Sequence, residues 1–235
     1  MERKPKMIKK LKKNTLGKDY FVGDIHGCYE QLMEALVKIK FNPDVDRLIS
    51  VGDLVDRGSD SVKCLNLLKE TWFHAVSGNH EDMMVKTFRR QWPTHNYMQN
   101  GGKWFFHLPY EEQEQLVLLA DTKMSLVIEV ETDIGTIGVI HANAPDNWQK
   151  YHRLNDDEDF FDDTLVEDTI WGRRRIYGSQ DGRVNGIDYV VVGHTPVEDV
   201  TVLENIVYID TGVVYNNSLT ILSVDEVVNY VGKVV

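Results

Sequence analysis

Three short polar segments, each of which opens with glycine at the end of an apolar run, constrain the fold of this chain most. The segments are residues 23–27 (Gly-Asp-Ile-His-Gly), 52–58 (Gly-Asp-Leu-Val-Asp-Arg-Gly) and 78–81 (Gly-Asn-His-Glu). The apolar runs have the length and the β-branched content of buried strands, and they are predicted at residues 19–22, 47–51 and 72–77. Helical patterns follow each segment, at residues 29–40, from Ser59 or Asp60 onward, and at 81–90. Strands that alternate with such helices predict βαβ units and parallel pairing.

The second half of the chain alternates short strands with turns. A half-buried strand is predicted at residues 125–131, because Leu126, Ile128 and Val130 share one face. A helix is predicted at 109–120, and a loop or exposed helix at 155–168, which contains eight Asp and Glu residues. Further strands are predicted at residues 136–140, 188–192, 197–202, 206–209 and 219–224. Two sheets with helices outside would bury these apolar faces, so we expect an α/β fold with a central two-sheet β-sandwich flanked by helices.

Charge is distributed unevenly along the 235 residues. Residues 1–13 carry a net +6, which leaves −17 on the remainder because the whole chain carries −11. We expect so acidic a body to repel nucleic acid, whose affinity for proteins comes largely from neutralised phosphates. We expect residues 1–16 to form a basic N-terminal arm and residues 17–235 a single domain. A solvated tail is the expected state of the arm, and contact with an acidic partner is the alternative.

The hydropathy and the cysteine content of the sequence predict where in the cell the protein is located. No apolar stretch approaches the roughly 18–20 residues that a membrane helix needs, so we expect no membrane partner. No continuous apolar segment follows the basic N-terminus, so we expect no secretory signal. Two cysteines, Cys28 and Cys64, are too few for a disulfide framework. We therefore expect free thiols and a cytoplasmic location.

The polar residues that follow the predicted strands suggest a two-metal site. The candidate ligands are carboxylates, imidazoles and one amide, namely Asp24, His26, Asp53, Asn79, His141 and His194. A carboxylate has two oxygens, so Asp53 can bridge two cations. Oxygen and nitrogen ligands without thiolate suit Mn²⁺, Fe or Zn²⁺, and two-metal sites of this kind perform phosphoryl chemistry. Each polar segment or histidine alone has a simpler interpretation as a turn, a helix cap or a core histidine. Five of them, however, follow predicted strands, and their common position favours the metal site.

These residues carry a resemblance to a known family. The three opening segments, their spacing and the later Val139-Ile-His-Ala and Gly193-His-Thr-Pro segments resemble the calcineurin-like metallophosphoesterases. Within that family the chain is most similar to the phosphoprotein phosphatases of bacteria and bacteriophages. The resemblance runs from about Tyr20 to Leu222, and it implies a metallophosphoesterase catalytic domain with an α/β/β/α arrangement.

The resemblance implies a role for each matching residue. One metal would be held by Asp24, His26 and Asp53, and the second would share Asp53. The remaining ligands of the second metal would be Asn79, His141 and His194. Arg57 and Arg173 would bind substrate phosphate oxygens, and His80 would serve as general acid with Asp56 orienting its imidazole. Two divalent cations, Mn²⁺ first with Fe or Zn²⁺ as alternatives, would supply a bridging hydroxide that attacks phosphorus directly.

Three functions stay open at this point. The first is hydrolysis of phosphoserine and phosphothreonine, with phosphotyrosine as a further substrate, in proteins and peptides. The second is cleavage of dinucleoside tetraphosphates; Asp56 and Glu81 favour the first, since such hydrolases tend to differ at both positions. The third is a catalytically silent binding module. One departure is Ser77, which stands where relatives often carry a phosphate-binding arginine. Two explanations stay open: Arg174 or Arg175 replaces that contact, or the site binds phosphate more weakly.

Overall fold

Two mixed β-sheets face each other, and helices cover the outer face of each sheet. The computed structural model describes residues 7–157, 159–215 and 217–233. The strands are β1 (Ile8–Leu11), β2 (Asp19–Val22), β3 (Arg47–Ser50), β4 (Phe73–Ala75), β5 (Val127–Thr132), β6 (Gly135–Val139), β7 (Tyr189–Val192), β8 (Thr201–Leu203), β9 (Ile206–Tyr208) and β10 (Ile221–Ser223). The helices are α1 (Tyr29–Lys38), α2 (Ser61–Asn66), α3 (Asn79–Phe88), α4 (Thr94–Gln99), α5 (Tyr110–Lys123), α6 (Gln149–Asp156), α7 (Asp163–Trp171) and α8 (Val224–Gly232). The predicted two-sheet α/β architecture is confirmed.

The four-stranded sheet has the order β10-β2-β3-β4. Strands β2, β3 and β4 are parallel, as the βαβ pattern predicts, and β10 is antiparallel to β2. Helices α1, α2, α3 and α5 cover its outer face, where Leu32 and Leu36 of α1 are buried. Because the three parallel strands end at the same edge, the loops that follow them also meet there.

The six-stranded sheet has the order β1-β5-β6-β7-β9-β8. Helices α6 and α7 cover its outer face through a cluster that includes Trp148, Tyr151 and Leu165. The inner faces of both sheets form a shared apolar core, which includes Phe21, Ile49, Val76, Val130, Val139, Val191 and Val207. This core fixes the position of β6 and β7 relative to β2 and β3.

Several element boundaries differ from the predictions. Helix α3 begins at Asn79 instead of 81, and β8 covers Thr201–Leu203 instead of 197–202. The last strand ends at Ser223, because that hydroxyl accepts the Glu226 N–H and caps α8. The acidic stretch 155–168 includes the end of α6 and most of α7, and α4 has no counterpart among the predicted elements.

The start of the chain differs most from expectation. Ile8–Leu11 pairs in parallel with β5, so the prediction of a solvated tail is wrong for these four residues. The two lysines that follow β1 form ion pairs with the β5–β6 hairpin, Lys12 with Glu131 at 2.6 Å and Lys13 with Asp133 at 2.5 Å. Residues 1–6 lie outside the described part, and the domain division at residue 16 stays a prediction. Within the described residues no helix has the length and apolarity to cross a membrane.

Candidate metal centre and active site

The five polar segments predicted from the sequence meet at one end of the two sheets. Residues 23–27, 52–58 and 78–81 follow β2, β3 and β4, and the two lone histidines follow β6 and β7. Backbone bonds join the first two loops, since the N–H groups of Ile25 and His26 both donate to the Asp53 carbonyl, at 3.1 and 2.8 Å. The Gly58 N–H donates in return to the His26 carbonyl at 2.9 Å. These bonds fix the two loops relative to each other.

The backbone of these loops adopts conformations that non-glycine residues rarely populate. Positive φ angles occur at His26 (45°), Asp53 (49°), Asp56 (71°), Arg57 (71°) and His194 (69°). Such conformations persist only where the surroundings enforce them, and they are concentrated at functional sites. Glycine is required beside two of the carboxylates. A Cβ atom at Gly78 would lie 2.1 Å from Asp53 Oδ1, and one at Gly193 would lie 2.0 Å from Asp24 Oδ1.

One group of ligand atoms lies between the two sheets. Asn79 Oδ1 is 2.8 Å from His194 Nδ1 and 3.0 Å from His141 Nε2. The two ring nitrogens are 3.1 Å apart, and Asp53 Oδ1 is 3.4 Å from His141 Nε2. Asp53, His141 and His194 are buried, and their ligand atoms all lie within 4.8 Å of one another. The structure thus brings together all four residues predicted for the second metal.

The tautomers of the two histidines make this group suitable for a cation. His141 Nδ1 lies 2.7 Å from the Val51 carbonyl, and His194 Nε2 lies 3.2 Å from the Trp171 carbonyl. A carbonyl only accepts, so these nitrogens carry the protons and the other nitrogen of each ring is bare. These two bare nitrogens and the Asn79 oxygen converge, at 2.8 to 3.1 Å from one another. A bound cation satisfies such a set of lone pairs.

A second group contains His26, Asp53 and His80, whose ligand atoms also lie within 4.8 Å of one another. Asp53 Oδ2 is 3.6 Å from His26 Nε2 and 3.9 Å from His80 Nε2. His26 Nδ1 bonds to the Val55 carbonyl at 2.9 Å, which leaves Nε2 as the bare nitrogen. Burial lowers the pKa of His26 to about 3 and that of His194 to about 2, so both rings are neutral, as metal ligands must be.

Asp24 occupies a different position from the one that its predicted role suggests. Among the described residues it joins neither group of ligand atoms within 4.8 Å. Its two oxygens instead accept the backbone N–H of His194, each at 3.1 Å. Burial and the neighbouring carboxylate of Asp210 raise its pKa well above the ordinary value. The predicted role of Asp24 as a metal ligand stays a prediction.

Asp210 is a site residue that the sequence analysis missed. It follows β9 and is 3% exposed beside Asp24. The signal was present in the sequence, because Ile206–Tyr208 is an apolar run and Ile-Asp-Thr-Gly follows it at 209–212. In the first two polar segments, too, an apolar run is followed by an aspartate and then by a glycine.

Glu81 has a structural role that the sequence did not predict, although it ends the third polar segment. Its carboxylate is 1% exposed and accepts hydrogen bonds from four backbone N–H groups of two loops. The donors and distances are Leu54 (2.7 Å), Gly78 (2.9 Å), Asp53 (3.1 Å) and Val55 (3.2 Å). Glu81 thus joins the loop after β3 to the loop after β4 and fixes the backbone on both sides of Asp53.

The predicted general acid and its carboxylate partner are in direct contact. His80 Nδ1 lies 2.6 Å from Asp56 Oδ2, and both side chains are buried. The carboxylate fixes the proton on Nδ1 and leaves Nε2 facing the metal groups. This is the geometry that the predicted pairing requires.

The two predicted phosphate-binding arginines are associated with different histidines of the metal groups. Arg57 Nη1 is 2.6 Å from His26 Nε2, and its guanidinium lies over the Tyr215 ring at 5.9 Å. Arg173 is partly exposed, and its charge acts on His194.

The arginines suggested as replacements at position 77 have other partners. The buried Arg175 donates to the carbonyls of Ala144 and Gly182, at 2.8 and 2.6 Å, so it cannot replace a phosphate contact. Arg174 donates to Asp168 at 2.6 Å.

Comparison with known proteins agrees with this geometry. Residues 20–198 match the family described as calcineurin-like phosphoesterase. The chain is 35% identical over 204 residues to "Serine/threonine-protein phosphatase 1" of Salmonella typhimurium, covering 86% of this chain and 89% of that protein. It is 47% identical to a "Bis(5'-nucleosyl)-tetraphosphatase, symmetrical" of Mannheimia succiniciproducens, but only over 70 residues, 29% of this chain and 25% of that protein.

A solved structure has the same fold at low sequence identity. The cold-active protein-tyrosine phosphatase of a psychrophilic Shewanella species superposes with a TM-score of 0.58 at 18% identity, covering 92% of this chain and 78% of that one. Identity this low indicates a shared fold alone. The family match and the long alignment with the Salmonella protein carry the conclusion that this chain belongs to the calcineurin-like phosphoesterases.

Proposed function

We propose that this protein is a metal-dependent phosphomonoesterase that hydrolyses phosphoserine and phosphothreonine, and also phosphotyrosine, in proteins. One observation carries the proposal. Two groups of buried ligand atoms share Asp53, and each includes histidines held in the metal-ligating tautomer or by a carboxylate. The name of the Salmonella relative supports a phosphoprotein as substrate. The two cysteines are free and buried, which supports a reducing, cytoplasmic location.

The residues fit two divalent cations. We assign His26 and Asp53 to one, together with Asp24, whose oxygens lie on the His194 N–H in this structure, and Asp53, Asn79, His141 and His194 to the other. Imidazole, carboxylate and amide ligands favour Mn²⁺, with Fe and Zn²⁺ as alternatives. When bound, such a pair supplies a water nucleophile near neutral pH and neutralises phosphate charge.

The side chains of the protein perform the remaining steps. Arg57 and Arg173 flank the metal groups, where their guanidinium N–H groups donate to phosphoryl oxygens and stabilise the charge of the transition state. His80 presents Nε2 toward the same space and donates a proton to the departing oxygen, while Asp56 holds the ring at Nδ1. The acidic body repels an anionic substrate, so these arginines and the cations must supply the attraction.

The test compares substrates with the intact chain in Mn²⁺. A phosphoserine peptide, a phosphotyrosine peptide and diadenosine tetraphosphate are assayed in parallel. We expect clear preference for the phosphopeptides. Preference for the nucleotide would instead assign the chain to dinucleoside tetraphosphate cleavage, and no hydrolysis with Mn²⁺, Fe²⁺ or Zn²⁺ would indicate a silent binding module.

The His80→Asn variant tests the assignment of the general acid. We expect turnover of the phosphoserine peptide to fall by roughly 10²–10⁴-fold, the usual contribution of general acid catalysis. Metal content, measured by elemental analysis, should change little. Full loss of metal would show that His80 is a ligand.

A further inference from the structure

The carboxylate of Asp56 is held from both sides. Its Oδ2 accepts the His80 Nδ1–H at 2.6 Å. Its Oδ1 accepts two further hydrogen bonds, from the Trp104 indole N–H at 2.7 Å and the Tyr97 hydroxyl at 3.0 Å. The Asp56 side chain is fully buried, so no water competes for these oxygens. Three donors on two oxygens fix the rotation of the carboxylate about its Cβ–Cγ bond.

Tyr97 and Trp104 belong to a segment, residues 94–107, that covers the loop after β3. It consists of α4 and the 3-10 helical turn Gly102–His107. Its aromatic rings pack on one another, with the Phe105 ring centroid 6.1 Å from that of Tyr97 and 5.6 Å from that of Trp104. Tyr97 and Phe105 are fully buried. Tyr97 is therefore held by packing inside the core, and the partly exposed Trp104 is held by its contact with the Phe105 ring.

Two glycines of this segment make close contact with their surroundings. A Cβ atom at Gly102 would lie 2.3 Å from the Tyr97 ring. Gly101 has a φ of +108°, and a Cβ atom there would lie 2.7 Å from the Arg57 backbone nitrogen. The segment therefore rests directly on the left-handed pair Asp56 and Arg57. A shift of the segment would move both residues.

We propose that Tyr97 and Trp104 are positioning residues, which orient the Asp56 carboxylate and through it the imidazole of His80 during phosphoester hydrolysis. The inference rests on the proposed function, because it needs His80 to protonate the leaving group. With both donors present, the Oδ2 lone pair points at His80 Nδ1, and Nε2 keeps its direction toward the substrate. Without the Tyr97 and Trp104 donors, the Asp56 carboxylate can rotate, and the His80 imidazole no longer has a single orientation.

Leaving-group dependence separates positioning from a general structural role. A serine alkoxide must be protonated as it departs, whereas p-nitrophenolate is a stable anion and leaves without a proton. Loss of acid orientation therefore slows the phosphoserine reaction and leaves the aryl ester reaction nearly unchanged. A merely structural defect slows both reactions equally. We define the kcat ratio as kcat for the phosphoserine peptide divided by kcat for p-nitrophenyl phosphate. This ratio does not depend on the fraction of folded enzyme, so it stays informative for a destabilised variant.

The experiment measures kcat and KM of Tyr97→Phe, Trp104→Phe and the double variant with Mn²⁺. The substrates are a phosphoserine peptide and p-nitrophenyl phosphate. Both substitutions keep an aromatic ring and remove only the donor or the indole edge. We expect kcat for the peptide to fall by roughly 10-fold in each single variant, a part of what a whole general acid contributes. The kcat for p-nitrophenyl phosphate should change less than about 2-fold, with KM unchanged for both substrates.

Matched controls come from the other sheet. Trp148 donates its indole N–H to Glu129 Oε1 at 2.8 Å, and the Tyr151 hydroxyl bonds to Thr169 at 2.7 Å, in the outer core of the six-stranded sheet. None of these residues contributes a ligand atom to the two metal groups. Trp148→Phe and Tyr151→Phe should lower thermal stability and leave the kcat ratio at the wild-type value.

The His80→Asn variant separates the two possible failures. If wild type hydrolyses neither substrate, the proposed function is wrong. If His80→Asn lowers the kcat ratio while Tyr97→Phe and Trp104→Phe do not, His80 is the acid and the positioning role is refuted. A lowered ratio in all three, with unchanged ratios in the two controls, supports the inference.

Discussion

The two sheets contribute to the site in different ways. The four-stranded sheet supplies three consecutive loops that are bonded to one another, through the Asp53 carbonyl and through the Glu81 carboxylate. The six-stranded sheet supplies isolated histidines. These are held mainly by contacts with other regions, His141 by the Val51 carbonyl that follows β3 and His194 by the carboxylate of Asp24.

This difference separates local from long-range support of the site. The loops of the four-stranded sheet support one another, so a change in one of them disturbs several ligand atoms at once. The histidines of the six-stranded sheet depend on how the sheets pack, and a change in one removes a single contact. Four predictions test this comparison.

Asp53→Asn should have the largest effect, because Asp53 is the residue that both ligand groups share. We expect the loss of both metals together, and a fall in turnover greater than the roughly 10–100-fold that loss of an outer-shell partner costs. Elemental analysis and kcat in Mn²⁺ measure the two effects. Retention of two metals would contradict the bridging role of Asp53. It would also contradict the proposed difference between the two sheets.

His194→Ala should remove one metal and leave the other. Its Nδ1 belongs to the group with His141, and it contributes no ligand atom to the group of His26, Asp53 and His80. The metal content should therefore fall from two to one per chain, with turnover strongly reduced. Loss of both metals would mean that the loops of the four-stranded sheet cannot hold a metal without the histidines of the six-stranded sheet.

Glu81→Gln should weaken the site without removing a ligand. An amide has one acceptor oxygen, so it cannot serve all four backbone N–H groups that the carboxylate accepts. We expect metal affinity or activity to fall by about 10–100-fold, as for other partners that orient ligands. Titration of metal-depleted protein with Mn²⁺ measures the affinity.

Glu129→Gln is the matched control for Glu81. Glu129 is a buried carboxylate of the six-stranded sheet that bonds to the Trp148 indole and lies 2.9 Å from His152. This variant should affect stability and leave Mn²⁺ affinity unchanged. An equal loss of affinity in both variants would assign the Glu81 effect to general destabilisation.

Much of the fold and of the site was predictable from local patterns. Apolar runs that end in glycine and a polar residue mark strand ends wherever they occur, and parallel strands bring their carboxyl ends together. That is why the two-sheet architecture and the convergence of Asp53, Asn79, His141 and His194 follow from the sequence. The basic composition of residues 8–11 hid a strand, because Lys9 and Lys10 lie between its buried Ile8 and Leu11.

The supporting contacts were not predictable, since they join residues distant in the chain. The Glu81 carboxylate accepts N–H groups 26 to 28 residues earlier, and Trp104 reaches an aspartate 48 residues earlier. In the sequence Trp104 is one of three consecutive aromatic residues, and nothing local separates a donor from a packing ring. Only the fold brings these groups to the carboxylates and amides that they serve.

His74→Gln should have the smallest effect, and it tests the contact between the sheets away from the metal groups. His74 lies on β4, and its Nδ1 is 2.9 Å from the Lys9 ammonium on β1. Burial, with the charges of Lys9 and Arg47, lowers the pKa of His74 from 6.5 to about 3. The unfolded chain therefore binds a proton below about pH 6.5 that the folded protein binds only near pH 3. The stabilising effect of the neutral ring is full above pH 6.5 and is lost as the pH falls, by at most about 1.4 kcal/mol per pH unit.

Urea unfolding of wild type and His74→Gln at pH 7 and pH 5 measures this loss, since pH effects common to both proteins cancel in the difference. The variant should lose less stability than wild type over this interval, whereas equal losses would mean that His74 is already protonated in the folded protein and that Lys9 does not hold the sheets together through a neutral imidazole.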